Sequence, residues 1–134
     1  MKVYCKSCEK PTQHRQKLHD IVCNKCDICN YPIFLQRLGD GRSNVAKRLV
    51  WVEWTEGGRG KAVHTEPQVG FSLCLGPYTI NSENGGSPLA SGYDWMTTEV
   101  TEIVEDKKSN EYRKIRFKTK NSEYVLHMTD IKTD

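Results

Sequence analysis

Residues 5–29 read CKSCEKPTQHRQKLHDIVCNKCDIC and contain two Cys-x-x-Cys pairs, Cys5/Cys8 and Cys23/Cys26, with fourteen residues between them. Two thiolates at this spacing can bind one ion from a tight turn, and a second pair completes the tetrahedral ligand set that structural Zn²⁺ prefers. The spacing therefore predicts a structural zinc site formed by these four cysteines. A complete set of four thiolates leaves no position for water, which favours a structural over a catalytic ion.

The sequence alone leaves other uses of the cysteines open. Cys29 repeats the two-residue gap, so the distal pair is either Cys23/Cys26 or Cys26/Cys29. A bacterial ferredoxin-type iron–sulfur run would need a fourth cysteine four residues after Cys29, where Ile33 stands instead. Disulfides are the third alternative. The chain shows neither the apolar segment of a signal peptide nor a run of about 18 apolar residues. We therefore expect a cytoplasmic protein with reduced thiols and no membrane partner.

Two histidines lie between the cysteine pairs and are alternative ligands. His14 and His19 are flanked by Arg15 and Lys17. Because four cysteines already saturate the ion, we expect both histidines to be solvated on a basic loop. The isolated Cys74 lies within an apolar stretch and is expected to be a small buried hydrophobic residue.

The length of 134 residues allows one domain or two very small ones. The first 30 residues have few apolar side chains, and segments of this size usually need a metal to fold. We predict a zinc ribbon over residues 1–30 and an antiparallel β domain over residues 31–134, with a flexible loop at 81–92. The expected fold class is mainly β, in which a Cys₄ zinc ribbon joins a small antiparallel sheet or a partly open barrel.

The segment after the cysteines becomes rich in β-branched and aromatic residues. Residues 48–55 and 62–65 predict a hairpin, and residues 95–105 predict a further strand. Residues 28–48 allow two interpretations: a short helix that begins at Pro32 and ends at Gly39, or an extended linker.

A C-terminal hairpin is predicted from strands at 111–120 and 123–129, joined by the turn Asn121–Ser122. This turn places six side chains on one core-facing surface, in the opposing pairs Thr119/Tyr124, Phe117/Leu126 and Ile115/Met128. The other face carries four cations at alternate positions, about 6.5 Å apart: Lys114, Arg116, Lys118 and Lys120. We refer to these four residues as the basic row.

The basic row predicts a nucleic-acid contact, because cations at this repeat can follow a phosphate backbone. Trp51 or Trp54 could add base stacking. The alternative is an ordinary solvated face that is neutralised by acidic residues of the preceding strand: Glu99, Glu102, Glu105 and Asp106.

Charge is divided unevenly along the chain. Residues 1–50 hold ten Lys or Arg against four Asp or Glu, and residues 51–134 hold ten against thirteen. Four thiolates around one Zn²⁺ carry a net charge of about −2, so part of this N-terminal basicity balances the metal site.

Two parts of the sequence resemble known groups of proteins. Cys5-Lys6-Ser7-Cys8 and Cys23-Asn24-Lys25-Cys26 resemble the zinc-ribbon superfamily, whose members include ribosomal proteins and transcription-associated subunits. Glu9 and Asp27 stand where the commonest form has glycine after each second cysteine. The segment 95–100, together with 119–124, is loosely similar to small bacteriophage proteins. This likeness implies a phage-encoded accessory protein made in the bacterial cytoplasm.

Motifs of common enzymes are missing from the sequence. It has no Gly-x-Ser-x-Gly, no phosphate-binding Gly-x-x-x-x-Gly-Lys-Ser/Thr and no His-Glu-x-x-His. We therefore expect a non-enzymatic module without a small-molecule substrate, which binds nucleic acid or a nucleic-acid-handling complex. The alternative is a phage effector that binds and inhibits a host transcription or defence complex.

Overall fold

A computed structural model of the chain describes residues 1–54, 60–76 and 95–129. These residues form twelve strands in two curled antiparallel sheets, which confirms the predicted β class. The strands are β1 (Lys2–Cys5), β2 (Lys10–Lys17), β3 (Asp20–Cys23), β4 (Cys29–Asn30), β5 (Ile33–Arg37), β6 (Ser43–Ala46), β7 (Arg48–Trp54), β8 (Gly60–His64), β9 (Phe71–Gly76), β10 (Trp95–Lys108), β11 (Tyr112–Thr119) and β12 (Glu123–Thr129). Within these described ranges no helix is long and apolar enough to cross a membrane. The predicted loop at 81–92 lies outside the described residues.

The first sheet contains β1 to β4 in sequence order, and we call it the ribbon sheet. Its strands are short and mostly polar, and β2 alternates between exposed and buried side chains over Gln13, His14 and Arg15. The buried members of this alternation, Thr12 and His14, lie on the face that also carries Cys23, because His14 pairs with Cys23 across the sheet. Alternation thus directs one polar face of β2 toward the cysteines.

The second sheet has the order β6-β5-β12-β11-β10-β9-β7-β8, and we call it the eight-stranded sheet. The C-terminal hairpin lies in its middle, so strands far apart in the chain become neighbours. The interpretation of residues 32–39 as a short helix is wrong, because residues 33–37 form β5 between β6 and β12. Ile33, Phe34 and Leu35 are all buried, and a strand covered on both faces has no alternation to reveal it.

The predicted hairpin exists, but its turn lies one residue earlier in the chain. Thr119 N–H donates to the carbonyl of Ser122 at 2.8 Å, so Lys120 and Asn121 connect the strands. Moving a turn by one residue shifts the cross-strand pairing by two, which keeps every side chain on its predicted face. The observed pairs include Phe117 with Tyr124, Ile115 with Leu126 and Lys118 with Glu123.

The hydrophobic core lies on one face of the eight-stranded sheet. Its buried members are Ile33, Leu35, Ala46, Trp51, Phe71, Leu73, Leu75, Val100, Ile115, Phe117, Tyr124 and Leu126. Trp51 and Phe117 are fully buried and meet edge to face, with ring centroids 5.6 Å apart. The core-facing surface predicted for the C-terminal hairpin is therefore confirmed.

The two sheets meet through an aromatic stack around His127. The ring of Tyr4, from the ribbon sheet, lies parallel to the His127 ring with centroids 3.8 Å apart. Tyr112 Oη is 2.5 Å from His127 Nδ1, and Phe34 is 5.4 Å from Tyr4 between ring centroids. The backbone N–H of Tyr4 also donates to Thr129 Oγ1 at 3.2 Å. Since Tyr4 directly precedes Cys5, this contact joins the cysteine cluster to the eight-stranded sheet.

Candidate metal centre and basic row

The structure brings together the four cysteines that the spacing predicts. The Sγ atoms of Cys5, Cys8, Cys23 and Cys26 all lie within 4.8 Å of one another. The Cys5–Cys26 and Cys8–Cys26 separations are 3.4 Å and 4.0 Å. Thiolates bound tetrahedrally to one Zn²⁺ at about 2.3 Å lie about 3.8 Å apart. The four sulfur atoms are therefore close enough to hold a metal ion.

The two Cys-x-x-Cys turns have the same backbone geometry. Glu9 N–H donates to the Cys5 carbonyl at 2.8 Å, and Asp27 N–H donates to the Cys23 carbonyl at 2.9 Å. Glu9 has φ of 57° and Asp27 has φ of 62°, both in the left-handed region that favours glycine. Acidic residues thus stand at two positions whose backbone conformation favours glycine.

A buried polar network supports the cluster from behind. Asn30 accepts a hydrogen bond from the Lys6 N–H at 3.1 Å, and its amide nitrogen lies 2.9 Å from His14 Nε2. His14 Nδ1 lies 2.9 Å from the Thr12 carbonyl, and Thr12 Oγ1 lies 3.1 Å from Cys23 Sγ. These contacts connect the first turn to the second and fix the position of Cys23.

The surroundings of Cys23 favour its thiolate. Burial acts to raise the pKa of this thiol, but hydrogen bonds from Thr12 and from the backbone N–H groups of Cys26 and Lys25 outweigh it and lower the pKa to about 6. Burial likewise opposes ionisation of Cys5, yet donors led by the Cys8 N–H lower its pKa. Because the thiolate is the form that binds metals, Cys5 and Cys23 suit a ligand role. In contrast, the pKa of Cys8 is raised to about 12, chiefly by its hydrogen bond with Cys5, and the pKa of Cys26 is also raised.

The remaining cysteines and histidines have other surroundings. Cys29 is exposed and is not part of the sulfur cluster, whereas Cys74 is fully buried as expected. Burial raises the pKa of Cys74 to about 11, which makes its thiol unreactive. His19 is exposed, as expected. The expectation of a solvated His14 is wrong, because its ring lies in the buried network.

The supporting residues Thr12, His14 and Asn30 were not identified from the sequence. The sequence does carry one signal for Thr12 and His14, because alternation along β2 places both on the Cys23 face once the strand register is known. Asn30 gives no such signal, since a single asparagine in a polar segment is ordinary.

The basic row lies on the face of the eight-stranded sheet opposite to the hydrophobic core, with acidic neighbours on both sides. Arg116 pairs with Glu123. Lys118 Nζ is 3.6 Å from Glu102 and 3.9 Å from Glu123. The earlier turn brings Glu123 opposite Lys118 rather than opposite Lys120, the predicted position. Within the described residues, ion pairs thus involve the centre of the row, while no carboxylate pairs with Lys114 or Lys120 at its ends.

The tryptophans do not provide the expected stacking surface. Trp51 is completely buried in the core, so it cannot contact a base. Trp54 is half-buried, and its indole N–H donates to Ser72 Oγ at 2.6 Å. The exposed large hydrophobic residues among those described are Met1, Leu18, Val69 and Val104, none of them aromatic.

Comparison with family models, with curated proteins and with solved structures gives no significant match to this chain. The functional assignment below therefore depends on the site itself.

Proposed function

We propose that the protein is a non-enzymatic zinc-ribbon module that binds nucleic acid or a nucleic-acid-handling complex in the cytoplasm. The observation that carries this proposal is the complete set of four cysteine sulfur atoms at mutual distances that suit one tetrahedral ion. Such a set leaves no coordination position for a substrate. The ion is then Zn²⁺ in a structural role, and binding takes place on surfaces that it holds in position.

The charge of the face that carries the basic row favours a polyanion as the ligand. The ion pairs of Lys118 are 3.6 Å and 3.9 Å long, and its side chain is half-exposed. Exposed pairs of this kind contribute little to stability, so their cations can exchange a carboxylate for a phosphate at small cost. Lys114 and Lys120 extend the positive charge in both directions along the strand.

A titration of labelled single-stranded DNA, duplex DNA and RNA tests the proposal by fluorescence anisotropy. We expect affinity to fall steeply between about 50 mM and 200 mM salt. Replacing Lys114 and Lys120 by glutamine should weaken binding and reduce the slope of log K against log salt by about two. Lys2→Gln with Lys17→Gln, at exposed positions of the ribbon sheet, is the matched control for general charge loss. Absence of binding at low salt, or binding that the row substitutions leave unchanged, would overturn the proposal.

A second candidate, a phage effector that inhibits a host transcription or defence complex, is favoured by Leu18. This side chain is 89% exposed and lies in the turn between β2 and β3 with φ of 56°. A bulky apolar residue in the left-handed region is strained, and such strain is often found at functional positions.

Pull-down from a bacterial lysate with wild-type protein and a Leu18→Gly variant tests this alternative. Glycine relieves the strain and removes the apolar side chain, so the variant should fold at least as well while losing the partner. Equal capture by both proteins would exclude Leu18 as the contact.

A further inference from the structure

The tips of two hairpins enclose an open cleft at the end of the basic row. The turn between β5 and β6 forms one wall, and the turn between β11 and β12 forms the other. The turns are adjacent because Arg37 pairs with Tyr124 in the sheet. The cleft has a volume of about 480 Å³, and its charged lining residues are Arg37, Asp40, Lys118, Lys120 and Glu123.

The cations around this cleft exceed the carboxylates. Asp40 is paired with Arg37 at 3.5 Å and with Arg42 at 3.7 Å. On the opposite wall, Glu123 pairs with Arg116 and Lys118, and Lys118 also reaches Glu102. Among the described residues of the lining, three cations, Arg37, Lys118 and Lys120, face two carboxylates, Asp40 and Glu123, which leaves a surplus of one positive charge. The lengths of the Asp40 and Lys118 pairs and the exposure of their partners make these contacts weak.

The chemistry of the lining selects a phosphate group. Arginine offers a planar pair of donors and lysine a point charge, the two groups that most often bind phosphate oxygens. Asn121 and Ser122 add neutral amide and hydroxyl groups. None of the described residues that line the cleft is aromatic, so these residues offer no surface on which a base can stack.

We propose that this cleft binds the terminal phosphate of a nucleic-acid strand whose backbone continues along the basic row. A terminal phosphate monoester carries close to two negative charges at neutral pH and an internal phosphodiester carries one, so the terminal group gains more from the positive surplus of the cleft. Lys118 belongs both to the cleft and to the row, so a strand bound at its end in the cleft continues directly onto Arg116 and Lys114. This inference rests on the proposed nucleic-acid function.

Three single-stranded oligonucleotides of one sequence test the inference: one with a 5′-phosphate, one with a 3′-phosphate and one with hydroxyls at both ends. We expect the intact protein to bind at least one phosphorylated strand about tenfold more tightly than the hydroxyl strand, the effect of one good charged contact. Arg37→Gln and, separately, Lys120→Gln should remove that preference. Arg37→Lys should restore part of it, and Arg48→Gln, an exposed cation outside the cleft, should leave it intact.

The outcomes separate this inference from the proposed function. Equal affinity for all three strands overturns the cleft assignment while the nucleic-acid function stands. A preference that survives both Arg37→Gln and Lys120→Gln also overturns it, because the phosphate then binds elsewhere. Failure to bind any of the three strands overturns the function and the cleft assignment together.

Discussion

The ribbon sheet and the eight-stranded sheet are held together by different interactions. The eight-stranded sheet buries a continuous set of aliphatic and aromatic side chains around Trp51 and Phe117. The ribbon sheet contributes no residue to that core, and its few buried apolar residues, Val3, Tyr4 and Val22, adjoin the thiols. We infer that the cysteine cluster takes the place of a hydrophobic core in the ribbon sheet. Under the proposed zinc assignment, ion binding supplies the folding free energy that so small an apolar surface cannot supply.

The largest expected effect comes from breaking the metal site. Cys23→Ser should abolish metal binding and unfold the ribbon sheet, since structural zinc contributes on the order of 10 kcal/mol to such segments. The eight-stranded sheet should persist, because its core contains no ribbon residue. Metal content by mass spectrometry and amide hydrogen exchange over residues 1–30 measure the two consequences.

Cys29→Ser is the matched control, because Cys29 is exposed and is not part of the cluster. We expect unchanged metal content for this variant. The reverse pattern, in which Cys29→Ser loses the metal and Cys23→Ser keeps it, would move the ligand set three residues along the chain.

The next effect concerns the hydrophobic core. Phe117→Ala removes a fully buried ring that contacts both Trp51 and Tyr124. We expect a loss of about 3–5 kcal/mol in the free energy of unfolding, measured by denaturant titration. Val104→Ala, at a 47% exposed position, should change it by less than about 0.5 kcal/mol. Undisturbed Co²⁺ binding by the Phe117 variant would show that the ribbon sheet folds without help from the core.

Tyr4 forms the main aromatic contact between the two sheets. Tyr4→Ala removes the ring that stacks on His127 and Phe34, and we expect a loss of about 2–3 kcal/mol from its burial and aromatic contacts. A chelator should lower the melting temperature of the eight-stranded sheet in the wild-type protein. The decrease should be smaller in Tyr4→Ala. Tyr4→Phe keeps the stacked ring and should behave like the wild type. If chelation acts equally on Tyr4→Ala and wild type, the stack does not couple the regions.

The smallest effect is a pH dependence at the same contact. Burial, with a further contribution from Lys114, lowers the pKa of His127 from 6.5 to about 4. Unfolded chains therefore bind this proton at higher pH than the folded protein does. The contribution of neutral His127 to the free energy of unfolding is complete above about pH 6.5 and decreases as the pH falls toward 4.

Comparison with His127→Phe isolates that contribution. Phenylalanine keeps the stack and does not titrate, so the pH-dependent part of the comparison comes from His127, including its hydrogen bond with Tyr112. The two proteins share the metal site and all carboxylates, so these cancel in the difference between their free energies of unfolding. We expect the free energy of unfolding of the wild type, relative to that of His127→Phe, to fall by about 1–2 kcal/mol between pH 7 and pH 4, after allowance for solvent screening. A constant difference would mean that His127 titrates normally.

Much of the local structure could be predicted from particular residues. The paired cysteines identified the sulfur cluster, and alternation at Ile115 and Phe117 identified the core face of the last hairpin. The turn was misplaced because Asn121 and Ser122 suit a turn as well as Lys120 and Asn121 do, and local preferences of this size are smaller than the packing energy of a whole sheet. Residues 33–37 were ambiguous because both faces of β5 are covered by other parts of the chain.

The sequence therefore determined what short-range chemistry can encode: ligands two residues apart, side chains that alternate along a strand, and an uneven distribution of charge. Tertiary structure decided what depends on residues distant in the chain. In the folded protein Trp51 is buried, Lys118 pairs with Glu102, and His127 stacks on Tyr4. Arg37 and Lys120 line the same cleft. These contacts join residues 16 to 123 positions apart, and pairing across such distances is set by the packing of whole sheets rather than by local preference.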